Sequence, residues 1–204
     1  MKNFKKTKDG LSIRDYKNYE EYKNHQIEKL NKKIKLIDEY DKQYENIVYE
    51  RYKNILNFND KNILCLAARL GAEVRAFKKL GANALGIDLN PGKNNDYVIV
   101  GDFHDLKFND NIFDVLFCNS IDHSYNIGKF LSESYRVLKD DGIFLLELMI
   151  ETPGQYEVLD TSNSEIIKTH ISKYFKIEKI SNMENKFSFV NWTGEVLKLT
   201  KLNK

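Results

Sequence analysis

The sequence is poor in cysteine, proline and glycine, and this excludes several classes of protein. Its two cysteines, Cys65 and Cys118, each lie inside an apolar run, so neither a disulfide framework nor a cysteine metal site is predicted. Two prolines and ten glycines in 204 residues exclude collagen-like and linker-rich chains. With a hydrophobic fraction of 42%, the composition favours one well-buried domain with a modest extension.

Long apolar runs and a strong charge of one sign are also missing. No run reaches the length of a bilayer, and the N-terminus MKNFKKTKDG has no apolar stretch after its lysines, so we expect a cytoplasmic protein. The net charge is +2, with 14 Lys/Arg against 10 Asp/Glu in the first 54 residues. This balance is too weak to predict a nucleic-acid partner, and a small-molecule substrate is expected instead.

Residues 1–57 are predicted to form an N-terminal helical extension. From about residue 15, apolar side chains recur on one helical face, at Ile27, Leu30, Ile34, Ile37, Tyr44 and Val48. Asp41 interrupts this stripe, and the pattern fits either one long helix or two with a tight joint. Such an extension can cover a binding cleft as a lid or form a homodimer with a second copy.

Residues 58–204 alternate between short apolar runs and amphipathic stretches. Strands are predicted at 62–67, 84–88, 97–100, 113–119 and 142–148, and helices at 71–80, 127–138 and 164–172. Two further runs, 175–181 and 195–199, fit a closing hairpin at the sheet edge. This order predicts an α/β domain with a mostly parallel, seven-stranded sheet and helices on both faces.

The residues that follow the first two strands are candidates for binding a nucleoside cofactor, because ligands of open parallel sheets lie at the carboxyl ends of the strands. After the first strand, Ala67 and Gly71 are small enough for close approach to the backbone, whereas Arg69 is not. Asp88 ends the second strand, where a carboxylate can accept hydrogen bonds from ribose hydroxyls. The alternative for Asp88 is a turn former before Pro91-Gly92.

The third and fourth strands are followed by candidates for adenine binding and catalysis. Asp102 and Phe103 are suited to an adenine amino group and ring face, and Asn119 and Ser120 precede Asp122 and His123 where a transferred group would be exposed. Candidate general bases are His123, Asp122 and His104. The histidines have packing or loop-orienting roles as alternatives. Glu147 could meet substrate, whereas His25 and His170 are expected on helix surfaces.

The stretch from Asn62 to Leu148 resembles class I S-adenosylmethionine (SAM)-dependent methyltransferases of the type 11 domain group, which have a Rossmann-like fold. The resemblance lies in the acid after the third strand, the F-D-V strand, a histidine beyond it and the R-V-L-K-x-x-G turn. CLAARLGAEV is similar to a subgroup with C-x-G-A-R-x-G-x-E-V, with Ala67 in place of a glycine. A looser similarity covers Y-E-E-Y-x-x-H-Q-x-E-K-L at 19–30, which is like helices that precede such domains.

The resemblance implies SAM as cofactor and no metal. It implies that Ala67, Arg69 and Gly71 line the methionine and ribose end, with Asp88 on the ribose and Leu89 beside the adenine. By the same resemblance, Asp102 and Phe103 hold the adenine, and Asn119 and Ser120 lie near the sulfonium.

The implied function is methyl transfer to a small-molecule or sugar-linked acceptor. One alternative is a catalytically weak or inactive SAM-binding domain that acts as a scaffold or regulatory partner. A nicotinamide dehydrogenase is disfavoured, because neither a G-x-G-x-x-G loop nor a Tyr-x-x-x-Lys pair stands in a suitable place.

Overall fold

The computed structural model describes residues 3–188 and 190–202, and a seven-stranded sheet forms their centre. A small separate hairpin comes first in the chain, formed by β1 (Phe4–Lys6) and β2 (Ser12–Arg14). The central sheet contains β3 (Asn62–Leu66), β4 (Asn83–Asp88), β5 (Val98–Val100), β6 (Phe113–Cys118), β7 (Leu138–Met149), β8 (Phe175–Lys186) and β9 (Asn191–Lys201).

The strand order of this sheet is β5-β4-β3-β6-β7-β9-β8. The first five strands in this order are parallel to one another, and β9 is antiparallel to both β7 and β8. The predicted seven-stranded sheet is confirmed, although its last three strands in the chain are longer than the apolar runs. The order reverses between β3 and β6, which places a ligand site at the carboxyl ends of these central strands.

Helices cover both faces of the sheet: α1 (Tyr19–Tyr52), α2 (Ala72–Lys79), α3 (Ile127–Val137) and α4 (Ser164–Ile171). Along β6, Val115 and Phe117 pack in one apolar cluster with residues of α1 and α2. Leu116 and Cys118 belong to the other cluster, with residues of α3 and α4. Successive strand side chains point to opposite faces, so a continuously apolar strand supplies both cores at once.

Helix α1 is interrupted once, at Lys33, whose φ and ψ of −127° and 17° are not helical. The sequence left open one long helix or two helices with a tight joint. The structure has two helical segments that run on from each other through a joint at Lys33. Asp41, which breaks the apolar stripe, accepts a hydrogen bond from the Ala72 amide at 3.1 Å and pairs with Arg75. A carboxylate at a helix N-terminus is favourable, so this residue fastens α1 to the start of α2.

Helix α1 is also fastened to the sheet through Glu147 of β7, which is fully buried. Its carboxylate accepts hydrogen bonds from the hydroxyls of Tyr44 at 2.7 Å and Tyr52 at 3.1 Å, and it forms an ion pair with Arg51. The expectation that Glu147 meets substrate is wrong, because these partners from α1 enclose it.

The β1–β2 hairpin holds the loop that follows β7. Arg14 donates its backbone amide to the Val158 carbonyl at 2.7 Å and its Nε to the Glu157 carbonyl at 2.8 Å. The sequence did not predict this hairpin, because three-residue strands leave no periodic pattern.

The two histidines expected on helix surfaces are packed instead. His25 stacks on the Tyr156 ring with centroids 4.9 Å apart, and His170 is buried. Among the described residues, none of the helices combines the length and apolarity needed to cross a membrane.

Candidate active site

Two cavities lie at the carboxyl ends of the central strands and meet each other. The larger has a volume of about 470 Å³ and the smaller about 50 Å³. Five residues line both, namely Lys29, Ala67, Arg69, Ser120 and His123. The smaller cavity holds the residues expected to bind adenosine, and the larger holds those expected near the sulfonium, so this junction joins the two halves of the site.

The loop after β3 has a backbone that glycine normally adopts. Ala67 and Arg69 have φ values of 56° and 46°, in the left-handed region that disfavours L-residues with side chains. Gly71, with φ of 94°, lines neither of these two cavities, and a Cβ there would lie 2.9 Å from the Tyr97 Cβ. Glycine is needed at position 71 for the left-handed backbone and for the close contact with Tyr97. Ala67 and Arg69, by contrast, line both cavities.

Asp88 lies at the end of β4, beside Leu89, and lines the smaller cavity. One carboxylate oxygen accepts the Arg69 amide at 3.0 Å and the other accepts the Asn90 amide at 2.8 Å. Asp88 can therefore order the turn and bind a ribose at the same time, because each carboxylate oxygen accepts one loop amide and keeps a second lone pair for a hydroxyl.

Asp102 also lines the smaller cavity and is held by donors on two sides. Its carboxylate accepts hydrogen bonds from the Tyr19 hydroxyl and from the His104 backbone amide at 2.9 Å. Burial opposes ionisation, but the hydrogen bonds from His104 and Tyr19 lower the pKa of Asp102 to about 2. Phe103 is buried, and its ring packs edge-on against Phe130 with centroids 5.0 Å apart, so the ring serves the core as well as the cavity wall.

His104 is a positioning residue in this arrangement rather than an accessible base. It is buried and lines neither the larger nor the smaller cavity. Its Nδ1 lies 3.0 Å from Asp102, while its Nε2 accepts the Asn126 amide at 3.2 Å. Both ring nitrogens are therefore engaged by protein groups, which corrects its selection as a catalytic candidate.

Asn119 and Ser120 follow β6 and line the larger cavity. The Asn119 amide donates to the Tyr40 hydroxyl at 3.0 Å, and its oxygen accepts the Ser120 hydroxyl at 2.8 Å. This pair, with Tyr40 from α1, fixes the wall of the cavity next to the junction.

Asp122 and His123 lie in a short 3-10 helix, Ile121–His123, and both line the larger cavity. His123 donates from Nδ1 to the Tyr156 carbonyl at 3.2 Å, so its Nε2 carries the free lone pair. The Lys29 ammonium group lies 3.0 Å from that Nε2. Burial and the charge of Lys29 together lower the pKa of His123 well below its ordinary value, which keeps the ring neutral.

Three buried polar atoms at the larger cavity have no hydrogen-bond partner among the described residues. They are Asp122 Oδ1, Glu151 Oε1 and the Tyr156 hydroxyl. Burial raises the pKa of the Asp122 and Glu151 carboxyls, and Glu157 adds to the effect at both. Because a buried unpaired acceptor is costly, these atoms indicate that a ligand with donor groups belongs in the cavity.

Sequence reasoning missed Lys29, Glu151, Tyr156 and Glu157. Lys29 lies beside the apolar stripe of α1, where a lysine is expected on the protein surface. The other three residues lie in a loop that contains no recognisable motif. The one available signal for Lys29 was its place in the H-Q-x-E-K-L run.

Comparison with known proteins agrees with this geometry. Residues 64–146 match the type 11 family model described as a methyltransferase domain. The chain contains a SAM-dependent methyltransferase domain. SAM is accordingly its cofactor, and the carboxylates of Asp88 and Asp102 at the smaller cavity fit the ribose and adenine donors of that molecule. No curated protein matches the sequence.

Solved structures share the fold of this methyltransferase domain at low sequence identity. The 1,6-didemethyltoxoflavin-N1-methyltransferase of Burkholderia thailandensis, solved with bound 1,6-didemethyltoxoflavin and S-adenosylhomocysteine (SAH), has a TM-score of 0.68 and 11% identity over 98% of this chain and 100% of that one. A SAM-dependent methyltransferase of Thermotoga maritima has a TM-score of 0.66 and 15% identity over 87% and 100%. The YcgJ protein of Bacillus subtilis has a TM-score of 0.60 and 16% identity over 78% and 100%.

Proposed function

We propose that this domain transfers the methyl group of SAM to a small-molecule or sugar-linked acceptor that binds in the larger cavity. The observation that carries the proposal is the junction, where Ala67, Arg69 and Ser120 line both cavities. A nucleoside held by Asp88 and Asp102 directs its sulfonium end past these residues toward the larger cavity.

The larger cavity has the size and chemistry of a small-molecule site. Its volume of about 470 Å³ lies within the usual range for such pockets. Leu36 and Val190 belong to its wall and are exposed to solvent, so the cavity has an entrance beside them for an acceptor. The unpartnered oxygens of Asp122 and Glu151 favour an acceptor that carries hydroxyl or amino groups.

Helix α1 serves as the lid over the adenosine site. Tyr22, Gln26 and Leu30 line the smaller cavity, whose volume is about 50 Å³. On the same measure a water molecule needs roughly 10–15 Å³, so the cavity has room for only a few waters, and adenosine enters only when this part of α1 moves outward. The non-helical backbone at Lys33 supplies the joint for that movement. This supports the division into an extension at 1–57 and a binding domain at 58–204.

Calorimetric titration with SAM and SAH tests the cofactor half of the proposal. A mass-resolved screen of pooled metabolites, incubated with the full chain and SAM, tests the acceptor half through the appearance of a methylated product. The proposal is supported if SAM and SAH each bind and the screen yields one methylated product. It is refuted if neither SAM nor SAH binds.

A second candidate function is a SAM-binding domain that scaffolds or regulates a partner without methylating anything. The observation in its favour is the loop after β3, where Ala67 adopts a glycine-like backbone. Binding of SAH without any methylated product in the screen would support this alternative.

We also propose a cytoplasmic location and a homodimer through α1. The buried free thiols of Cys65 and Cys118 suit a reducing compartment, and Ile34 and Leu36 leave apolar surface exposed on the helix. Sedimentation over a range of concentrations tests the dimer.

A further inference from the structure

Lys29 lies at the point where the two cavities meet, on the helix proposed as the lid. It lines both cavities, and its Nζ lies 3.0 Å from His123 Nε2 and 5.5 Å from the centre of the Tyr156 ring. The charged groups that act on it, Arg69, Asp88, Asp122 and Glu157, come from four other segments of the chain. Lys29 therefore borders the junction at which the methyl group would be transferred.

The contacts of His123 decide what Lys29 can do. The Tyr156 carbonyl fixes the proton of His123 on Nδ1, and it also accepts Gln26 Nε2 at 2.8 Å. The remaining lone pair of His123 is directed at Lys29, so the imidazole orients the amine and is not itself free to take a proton from an acceptor. Asp122 Oδ2 lies 3.7 Å from the same His123 nitrogen, and Asp122 Oδ1 has no partner among the described residues.

We propose that Lys29 is the proton acceptor of the methyl-transfer reaction, with His123 as its positioning residue. This inference rests on the proposed function. In the step, the nucleophilic atom of the acceptor forms the bond to the methyl carbon, and the carbon–sulfur bond of SAM breaks with its electron pair on sulfur. The N–H or O–H bond of the acceptor breaks, and its proton goes to the neutral amine of Lys29. The acceptor is therefore an amine or a hydroxyl compound that begins protonated.

The surroundings of Lys29 are suited to an amine that gains and loses a proton near neutral pH. Burial and the positive charge of Arg69 lower the pKa of Lys29 to about 7. The carboxylates of Glu157, Asp122 and Asp88 act in the opposite direction and stabilise the ammonium form after transfer. The other titratable groups that line the larger cavity are Lys33, Tyr40, Asp41, Glu73, Glu151 and Tyr156.

A divalent cation is a weaker explanation of the same cluster. The ligand atoms of Asp122, His123 and Glu157 lie within 4.8 Å of one another, a spacing that one ion could bridge. The Lys29 nitrogen, 3.0 Å away, already occupies the His123 lone pair that such an ion would need. The structure therefore favours the amine over a metal ion at this place.

Proton release during cofactor binding tests the inference without any knowledge of the acceptor. Calorimetric titrations of the full chain at pH 7, in phosphate and in Tris with EDTA present, give the number of protons released from the dependence on buffer ionisation heat. The sulfonium charge of SAM lowers the pKa of a nearby amine further, so SAM binding should release a fraction of a proton. SAH carries no sulfonium, so it should release less.

The variants Lys29→Met and Lys29→Arg should abolish the difference between SAM and SAH, since neither side chain titrates near pH 7. Lys35→Met is the matched control, because Lys35 is an exposed lysine on the same helix that lines neither cavity, so it should leave the difference intact. Binding of both ligands with an unchanged difference in Lys29→Met overturns the inference alone. Absence of binding to the parent protein overturns the proposed function, and the inference falls with it.

Once an acceptor has been found, two further readouts separate proton transfer from a structural role. Lys29→Arg should lower kcat by at least about 100-fold while KM for SAM changes little, which is the usual size of a general-base effect. Ethylamine added to Lys29→Met should restore part of the rate with a pH profile that follows the added amine. Full activity of Lys29→Met without an added amine refutes the role.

Discussion

The loop after β3 offers a prediction whose size can be worked out from the backbone. Ala67 is held at φ of 56°, and a left-handed conformation costs an L-residue roughly 1–2 kcal/mol. Glycine removes this cost but loses roughly 0.5–1 kcal/mol through the greater freedom of the unfolded chain. Part of one methyl contact is also lost, because Ala67 is half-buried against the core. Ala67→Gly should therefore raise the free energy of unfolding by about 0.5 kcal/mol.

The neighbouring variant Ala68→Gly is the matched control. Ala68 is buried, does not share the left-handed backbone and packs close to Gly86. It should lose the methyl contact and the entropy together, about 1.5 kcal/mol. Urea unfolding measures both changes, and calorimetry with SAH should show equal or tighter binding in Ala67→Gly. Similar losses of stability and SAH affinity in the two variants would refute this account of the loop.

Three other predictions concern the cofactor site and its support. Asp88→Ala should weaken SAM binding by about 1–3 kcal/mol in calorimetry. Asp88→Asn keeps an acceptor for only one of the two loop amides and should weaken SAM binding less than Asp88→Ala does; unchanged affinity in both variants contradicts the assignment. Tyr19→Phe frees one oxygen of Asp102 and should tighten SAH binding by about 0.5–1.5 kcal/mol, whereas weaker binding would mean that the hydroxyl itself holds the ligand. Arg51→Met leaves Glu147 as a buried charge without its cation and should lower the free energy of unfolding by about 3–5 kcal/mol. Adding Glu147→Gln should recover part of that loss in urea unfolding, and a single variant as stable as the parent would contradict the argument.

The sequence by itself determined the sheet and the positions of the candidate cofactor-binding residues at the ends of its strands. Continuous apolar runs such as that of β6 must be covered on both faces, so they predict a parallel sheet between helical layers. Because all parallel strands end at the same edge, a residue that follows a strand lies at the ligand site whatever the rest of the chain does. This is why Asp88, Asp102 and Ser120 could be located from local sequence alone.

Only the tertiary structure decided which polar side chains face the cavities and which are enclosed. Glu147 lies close to the end of β7, as Asp88 lies at the end of β4, yet Arg51 and two tyrosines of α1 surround it. Lys29 looks like a surface lysine in a helical pattern, yet α1 crosses the strand ends at the angle that places its amine against His123. A side chain is buried and hydrogen-bonded by segments that are far apart in the chain. A local sequence pattern carries no information on how close those segments come in the fold.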